Sequence, residues 1–317
     1  MQAIVIDQFG GIEEMHLRDM PIPSPKADEV QIKVAYAGVN PVDWKIREGW
    51  LKKRVDIVFP AILGWDVAGV VSAVGRNVTT YKEGDAVYSY CRKSVVQWGT
   101  FAEYVTVSAT DIALKPTTLT FAQAAAIPLV GLTAWQALFD TANLQRGQTV
   151  LIHAGAGGVG SLAIQLAKNA GAKVYTTASH KNHTYVKKLG ADVVIDYATE
   201  DFAEKINSFE SGGVDVVIDT VGDTVFEKSL SLVKKEGFLV TITKMDIDQD
   251  LAKKLGIHMV FAFVHPSGKE LQQMGALFDQ GSLNAPEIIE YPLHEAANAL
   301  EELRKGHTRG KIVLKVL

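Results

Sequence analysis

The sequence predicts an α/β protein of two domains, one β-rich and the other a doubly wound parallel sheet. Three observations carry this prediction. From about residue 123 onward, short apolar runs alternate with helical stretches. Before that point, β-branched segments are separated by turn signals rather than by helices. Between Thr149 and Ala170, a strand, a glycine turn and a helix follow one another directly, in TVLIHAGAGGVGSLAIQLAKNA.

The N-terminal elements read in order. MQAIVIDQFG has no charged leader followed by an apolar run, so it reads as a mature first strand and not as a signal peptide. Further strands are expected at Val30–Val34, Val67–Val74, Ala86–Tyr90 and Ala102–Val107. Turns fall at Pro21–Pro25, Gly75–Asn77 and Glu83–Asp85, which suits an antiparallel or barrel-like domain. A helix over Phe121–Asn143, broken near Pro128 and Gly131, leads into the second domain.

That second domain alternates. Strands are expected at Val150–His153, Lys173–Thr177, Val193–Ile195, Val214–Ile218, Phe238–Ile242 and His258–Phe263. Helices fall between them at Tyr185–Leu189, Phe202–Asn207 and Val225–Lys234. Six short apolar strands separated by helices imply a parallel sheet covered on both faces, a Rossmann domain. Two helices follow, near Lys269–Asp279 and Leu293–Lys305, and then a strand at Lys311–Val316 that returns to the first domain. The expected division is therefore 1–122 with 266–317, and 123–265.

Gly155, Gly157 and Gly160 form G-x-G-x-x-G between the first Rossmann strand and its helix. The first glycine permits the tight turn, and the second lets a pyrophosphate approach the backbone. The third lets helix and strand pack closely, while the helix N-terminus offers unpaired N–H groups to phosphate. Gly158 and Val159 belong to the same turn. The motif alone is weak; between a strand and a helix it marks a dinucleotide site. An NAD-preferring site carries an acidic residue about 20 positions further on. Here the second strand ends in Thr176–Ser179 and continues His180-Lys181-Asn182-His183, without one. Ser179 and Lys181 suit a 2′-phosphate, so NADPH is expected over NADH; a polar strand-end turn would carry the same residues.

Composition narrows the setting. The 317 residues are 47% hydrophobic and 21% charged, with net charge −4. No long basic run points to nucleic acid, and no apolar run reaches membrane-spanning length. The single cysteine, Cys91, excludes an internal disulfide and fits a reducing cytoplasm.

Several motifs together are more specific. Ala37-Gly-Val-Asn-Pro-Val-Asp43, Gly64-Trp-Asp-Val-Ala-Gly69 with Val74-Gly75, and Gly84-Asp-Ala-Val87 occur in the order seen in the medium-chain dehydrogenases/reductases. So do HAGAGGVG at 153–160, Leu189-Gly-Ala-Asp192 and Gly310-Lys311-Ile-Val313. The chain resembles the zinc-free quinone oxidoreductase branch of that superfamily, including the alkenal/one reductases. The resemblance implies a GroES-like catalytic domain, a Rossmann domain and a cleft between them. It implies hydride transfer from NADPH to quinones or to α,β-unsaturated carbonyl compounds. An enoyl-thioester reductase on the same fold and a non-catalytic NADPH-binding sensor remain the alternatives.

Zinc is not expected. The superfamily's alcohol dehydrogenases place a cysteine and a histidine where this chain has Asn40 and Trp65, and the segment near Ala126 holds no cysteine. Catalytic zinc needs three convergent N, O or S ligands. His16, His153, His180, His183, His258, His265, His294 and His307 show no metal-ligand spacing along the chain.

Asn40, Asp43, Lys45 and Trp65 are the candidates on the catalytic side. Asn40 contacts nicotinamide or substrate, or else caps the following helical turn. Asp43 orients neighbours or pairs with Lys45. Lys45 donates to an enolate, binds phosphate or stays solvated. Trp65 walls the pocket or simply packs. By resemblance, Thr133, Tyr197, Val221, Gly222, Thr241, Ile242 and Phe263 border the cofactor, core packing being the alternative. The apolar sixth strand, Ile257–Val264, lies at the expected sheet edge, which together with the resemblance predicts a homodimer.

Overall fold

The computed structural model describes all residues, 1–317. Its first elements are β1 (Gln2–Ile6), β2 (His16–Asp19), β3 (Glu29–Gly38), α1 (Pro41–Arg47), β4 (Asp56–Ile62), β5 (Asp66–Val74), β6 (Ala86–Tyr90), β7 (Val95–Trp98), β8 (Tyr104–Ser108) and β9 (Ile112–Leu114). There follow α2 (Phe121–Ala125), α3 (Pro128–Trp135), β10 (Thr149–Ile152), α4 (Gly158–Asn169), β11 (Lys173–Thr177), α5 (His183–Lys188), β12 (Val193–Ile195), α6 (Phe202–Phe209), β13 (Val214–Asp219), α7 (Asp223–Ser229), β14 (Val233–Thr241), α8 (Gln249–Leu255) and β15 (His258–Phe261). The chain closes with α9 (Gly268–Asp279), β16 (Ile288–Pro292), α10 (Ala296–Arg304) and β17 (Lys311–Lys315).

These elements form two compact units: Met1–Leu132 with His265–Gly281 and Ala285–Leu317, and Thr133–Val264 with Ser282–Asn284. The first boundary falls ten residues beyond the expected one, within α3. Thr120 caps α2 by accepting the Gln123 N–H at 3.2 Å, and α2 packs on β3 and β5 of the first unit. The expected Phe121–Asn143 helix is thus broken at Ala126–Ile127, just before Pro128, and ends in a π-helical stretch at Gln136–Thr141. Residues 282–284 join the second unit because the Gln165 amide grips Asn284, accepting its N–H at 2.8 Å and donating to its carbonyl at 3.0 Å.

The first unit holds a four-stranded sheet, β2-β1-β4-β7, and a seven-stranded one, β16-β17-β3-β5-β6-β9, with β8 paired to β3. The returning strand β17 lies antiparallel to β3, as expected of a discontinuous domain. Strands β2, β7, β9 and β16 are not marked by an apolar run with flanking turn residues, and the apolar run of β4, Ile57–Leu63, is interrupted by Pro60. Their long-range pairing, not their local pattern, makes them strands. Buried Arg47 ties α1 to α10 through Glu48 at 2.9 Å and Glu301 at 3.2 Å.

The second unit is one parallel sheet in the order β12-β11-β10-β13-β14-β15, all five pairings parallel. Every residue of β10 is buried, as a central parallel strand requires. Asp215, near the start of β13, is neutralised locally: it accepts the Thr149 N–H at 2.7 Å and a hydrogen bond from the Lys234 ammonium at 3.0 Å. The expected helix Val225–Lys234 is shorter, because pairing of Val233 with Val214 extends β14 backward. Asp201 and Asp248 start α6 and α8 by accepting the first free N–H groups of each helix.

Candidate functional site

In the second unit the cofactor candidates converge on one edge of the sheet. The glycine turn follows β10, Ser179 and Lys181 follow β11, Tyr197 follows β12, and Val221 and Gly222 follow β13. Thr241 ends β14 with Ile242 beside it, and Phe263 follows β15. These are the carboxyl ends of parallel strands, and the order reverses between β10 and β13, where ligands of such sheets bind.

The glycine turn is built for close approach. Ala154 sits at φ 51°, a left-handed conformation that reverses the chain after β10. A Cβ on Gly155 would lie 2.1 Å from the Thr176 hydroxyl, and one on Gly160 would lie 2.4 Å from the Ala154 carbonyl. Gly157 differs: a Cβ there would meet only the Ala154 carbonyl, at 3.4 Å. Gly155 and Gly160 are therefore demanded by the fold, whereas Gly157 leaves open space in front of the helix. Gly158 and Val159 begin α4, whose first N–H groups have no acceptor inside the helix. An open, bare-backbone cradle at a helix start fits a dinucleotide pyrophosphate.

Two buried groups whose bracing role the sequence does not reveal hold this edge in place. His153 is buried, with Nδ1 3.2 Å from the Thr177 hydroxyl and Nε2 2.9 Å from the Ser229 hydroxyl. Burial pushes its pKa down to about 4, so the ring is neutral and serves as a hydrogen-bonding strut. Asp219 accepts the N–H groups of Val221 and Gly222 at 3.0 and 2.9 Å and the Thr241 hydroxyl at 2.8 Å. Thr241 is fully buried, so it shapes the strand end from inside. Val221 is held outward, 47% exposed; Phe263 and Tyr197 are 62% and 54% exposed. Thr133 is buried in α3, and Ile242 is half-buried.

The turn after β11 is polar and open. Lys181 is exposed, and Ser179 accepts a bond from the Asn182 side chain at 3.2 Å. Histidines that show no metal-ligand spacing along the chain are brought together here in space. His180, His183 and Asp196 bring their ligand atoms within 4.8 Å of one another.

In the first unit, Asn40 and Asp43 belong to a buried polar cluster with Asp66 and Lys311. The Asn40 N–H donates to Asp43 at 2.8 Å, and its side-chain amide donates to Asp66 at 2.8 Å. The Lys311 ammonium donates to the Val39 carbonyl and to the Asn40 side-chain oxygen, both at 2.6 Å, and stands 4.0 Å from Asp66. The other Asp66 oxygen accepts the Leu129 N–H at 2.8 Å. Burial pushes Asp43 up to about 7 and Asp66 to about 6, and lowers Lys311. Asp43 does not pair with Lys45, which instead lies over the Trp44 ring at 5.6 Å. Lys45 is half-buried, and burial lowers its pKa. Trp65 is buried edge-on against Tyr90, ring centroids 6.0 Å apart.

Zinc does not fit at these positions. Both polar atoms of the Asn40 side chain are already committed, and the Trp65 indole offers no lone pair. Cys91 is buried and its thiol is pushed up to about 12, which leaves it inert.

Comparison with known proteins agrees with this layout. The family model for the alcohol dehydrogenase GroES-like domain matches residues 26–117, and that for zinc-binding dehydrogenase matches 189–314. The chain is 35% identical to the NADPH-dependent alkenal/one oxidoreductase of the Arabidopsis thaliana chloroplast, over 99% of this chain and 79% of that protein. It superposes on the quinone oxidoreductase of Coxiella burnetii with a TM-score of 0.89 at 39% identity, covering 100% of this chain and 99% of the other. The Escherichia coli quinone oxidoreductase complexed with NADPH gives a TM-score of 0.89 at 28% identity, with all of both chains covered.

Proposed function

The chain belongs to the quinone oxidoreductase and alkenal/one reductase branch of the medium-chain dehydrogenases/reductases, and from that premise we propose that it transfers a hydride from NADPH, without zinc, to quinones or to the β-carbon of α,β-unsaturated carbonyl compounds. The observation that carries this reading is the glycine cradle followed by a nucleotide turn that is basic and free of acid, Ser179–Lys181.

The bound nicotinamide supplies the hydride. The protein's own part is to hold and orient. Gly155–Gly160 and the start of α4 take the pyrophosphate, Ser179 and Lys181 the 2′-phosphate, and Tyr197 the adenosine side. Val221, Gly222 and Phe263 border the nicotinamide end, kept in register by Asp219. Reduction at the β-carbon places charge on a carbonyl oxygen as an enolate, which hydrogen-bond donors stabilise. That reaction needs no Lewis acid, which matches a first unit whose Asn40 and Trp65 cannot hold one. Lys45 and Trp65 are our candidates for the acceptor side. Asn40 and Asp43, sealed in their cluster, act by positioning the segment that carries them.

Stopped-flow NADPH oxidation with quinones, enals, enones and enoyl thioesters tests the reading. Turnover is expected with quinones or enones, and deuterium from the nicotinamide C4 is expected at the β-carbon. Label at the carbonyl carbon would mean ordinary carbonyl reduction. Turnover of thioesters alone would make this an enoyl-thioester reductase, and none at all a nucleotide-binding sensor. No helix is long and apolar enough to cross a membrane.

A further inference from the structure

We propose that His180, His183 and Asp196 form a site for a divalent transition metal, at the turn beside the second and third strands of the parallel sheet. The site lies in a different unit from Asn40 and Trp65. His180 sits between Ser179 and Lys181, and Asp196 precedes Tyr197, so the site borders the proposed nucleotide turn; metal binding is measured without nucleotide and stands or falls apart from hydride transfer.

The fold brings the three side chains together from two strand ends. Strands β11 and β12 run parallel, and the Ala178 N–H bonds the Ile195 carbonyl at 3.0 Å just past both ends. His180 opens a 3-10 turn over His180–Asn182, and His183 begins α5. Residues three apart in such turns lie on one face. Their rings stand 5.2 Å apart, centroid to centroid. Asp196 is the residue directly after β12, and its side chain is nearly buried.

Two of the three potential ligands, His183 and Asp196, carry the outer support that metal sites use. A ligating histidine generally donates its second ring N–H to a carbonyl, which fixes ring and tautomer. His183 Nε2 stands 3.2 Å from the Ala178 carbonyl; an N–H there leaves Nδ1 as a bare nitrogen. One Asp196 oxygen accepts the Ala198 N–H at 3.1 Å, and the Asp196 N–H is held by Glu200 at 2.9 Å. The other Asp196 oxygen takes no hydrogen bond from the protein. A nearly buried carboxylate with one open oxygen beside two imidazoles is a ready donor set. His180 is exposed and free to rotate inward.

Two imidazoles and one carboxylate suit zinc, cobalt(II) or nickel(II), with water completing the shell. Ligand atoms around a bound zinc lie roughly 3.4 Å apart, from bonds of about 2.1 Å in a tetrahedron. The present spacing, within 4.8 Å, exceeds that by at most about 1.4 Å, a closure within reach of small side-chain rotations.

Equilibrium dialysis of the full chain against zinc chloride, with the metal measured by elemental analysis, tests the site. One zinc per chain is expected, with a Kd at or below about 10 µM. Asp196→Asn and His183→Ala should each weaken binding by at least roughly tenfold. His180→Asn alters only an exposed side chain, keeps the fold and should weaken binding likewise, whereas His294→Gln, at an exposed histidine elsewhere, should change nothing. Cobalt(II) should give visible d–d bands that His180→Asn abolishes. No zinc bound at about 100 µM, or binding unchanged by His180→Asn, would overturn the proposal.

Discussion

Lys311 donates its buried ammonium to the side-chain oxygen of Asn40 at 2.6 Å, although the two residues are 271 positions apart. Register creates the meeting. Gly38 pairs with Asp66 on one side of β3 and with Val313 on the other. Residues two steps beyond these pairs, Asn40 and Lys311, then converge on Asp66. Removing the cation strands two carboxyls and two carbonyl-type oxygens in a dry interior. Breaking a buried ion pair from one side costs about 3–5 kcal/mol. Lys311→Met should therefore lower the first thermal unfolding transition sharply, as calorimetry would show. A transition within a degree or two of the native protein's would mean that the cluster is not ionised in the fold.

Asp43 gives the same cluster a pH signature. Its folded pKa of about 7 lies well above the unfolded value of about 3.9. The folded state thus holds a proton that the unfolded state releases between those pH values. Stability from this group is full below about pH 4 and is lost as pH rises through about 7. Asp43→Asn keeps an acceptor for the Asn40 N–H and has no proton to lose. Urea titrations should show the variant gaining on the native protein by up to about 1.4 kcal/mol per pH unit across that window. A stability difference that stays flat from pH 4 to 8 would refute the assignment.

The three motif glycines should separate stability from binding. A Cβ at Gly160 meets backbone at 2.4 Å, so Gly160→Ala should cost about 1–3 kcal/mol of stability as well as nucleotide binding. Gly157→Ala meets nothing closer than 3.4 Å, so its stability should stay within about 0.5 kcal/mol of native. Its methyl would still stand in the cradle, and NADPH affinity, read by fluorescence titration, should fall about tenfold or more. Native affinity in a folded Gly157→Ala protein would remove the cradle from the nucleotide site.

These glycines were legible because their whole argument is local: a strand, a turn and a helix within one short segment. The six strand ends followed for the same reason, since alternating apolar runs and helices imply parallel order. The Asn40–Asp66–Lys311 cluster was hidden because its members are neighbours only through the pairing of β3 with β5 and β17. His180 and Asp196 were hidden likewise, joined by the β11–β12 pairing. His153 gave no signal at all, because a buried strut and a surface histidine look alike in a sequence.

Strand β15 ends the sheet, bonded to β14 on one side only. Its segment IHMVFAFV presents an apolar edge, the kind of edge that a second copy would close by a two-fold pair, so a homodimer is predicted. Light scattering should report the mass of two chains. Val260→Lys, at a half-buried edge position, should yield a folded monomer. A native protein that is monomeric at every concentration would contradict this.

Lys181 should decide the choice of nucleotide. It is exposed at the turn where an NAD-preferring protein carries an acid, and it stands beside Ser179, whose hydroxyl is turned to the same loop. A charge-assisted hydrogen bond to phosphate is worth roughly 1.5–3 kcal/mol. Only NADPH has the 2′-phosphate that would receive it. Lys181→Ala should therefore lower kcat/KM for NADPH by about 10- to 100-fold and leave NADH nearly unchanged. An exposed lysine contributes little to the core, so the variant should fold as the native chain does. Equal losses with both nucleotides would mean that the turn contacts the ribose or adenine instead. A native preference for NADH would remove the 2′-phosphate from this turn altogether.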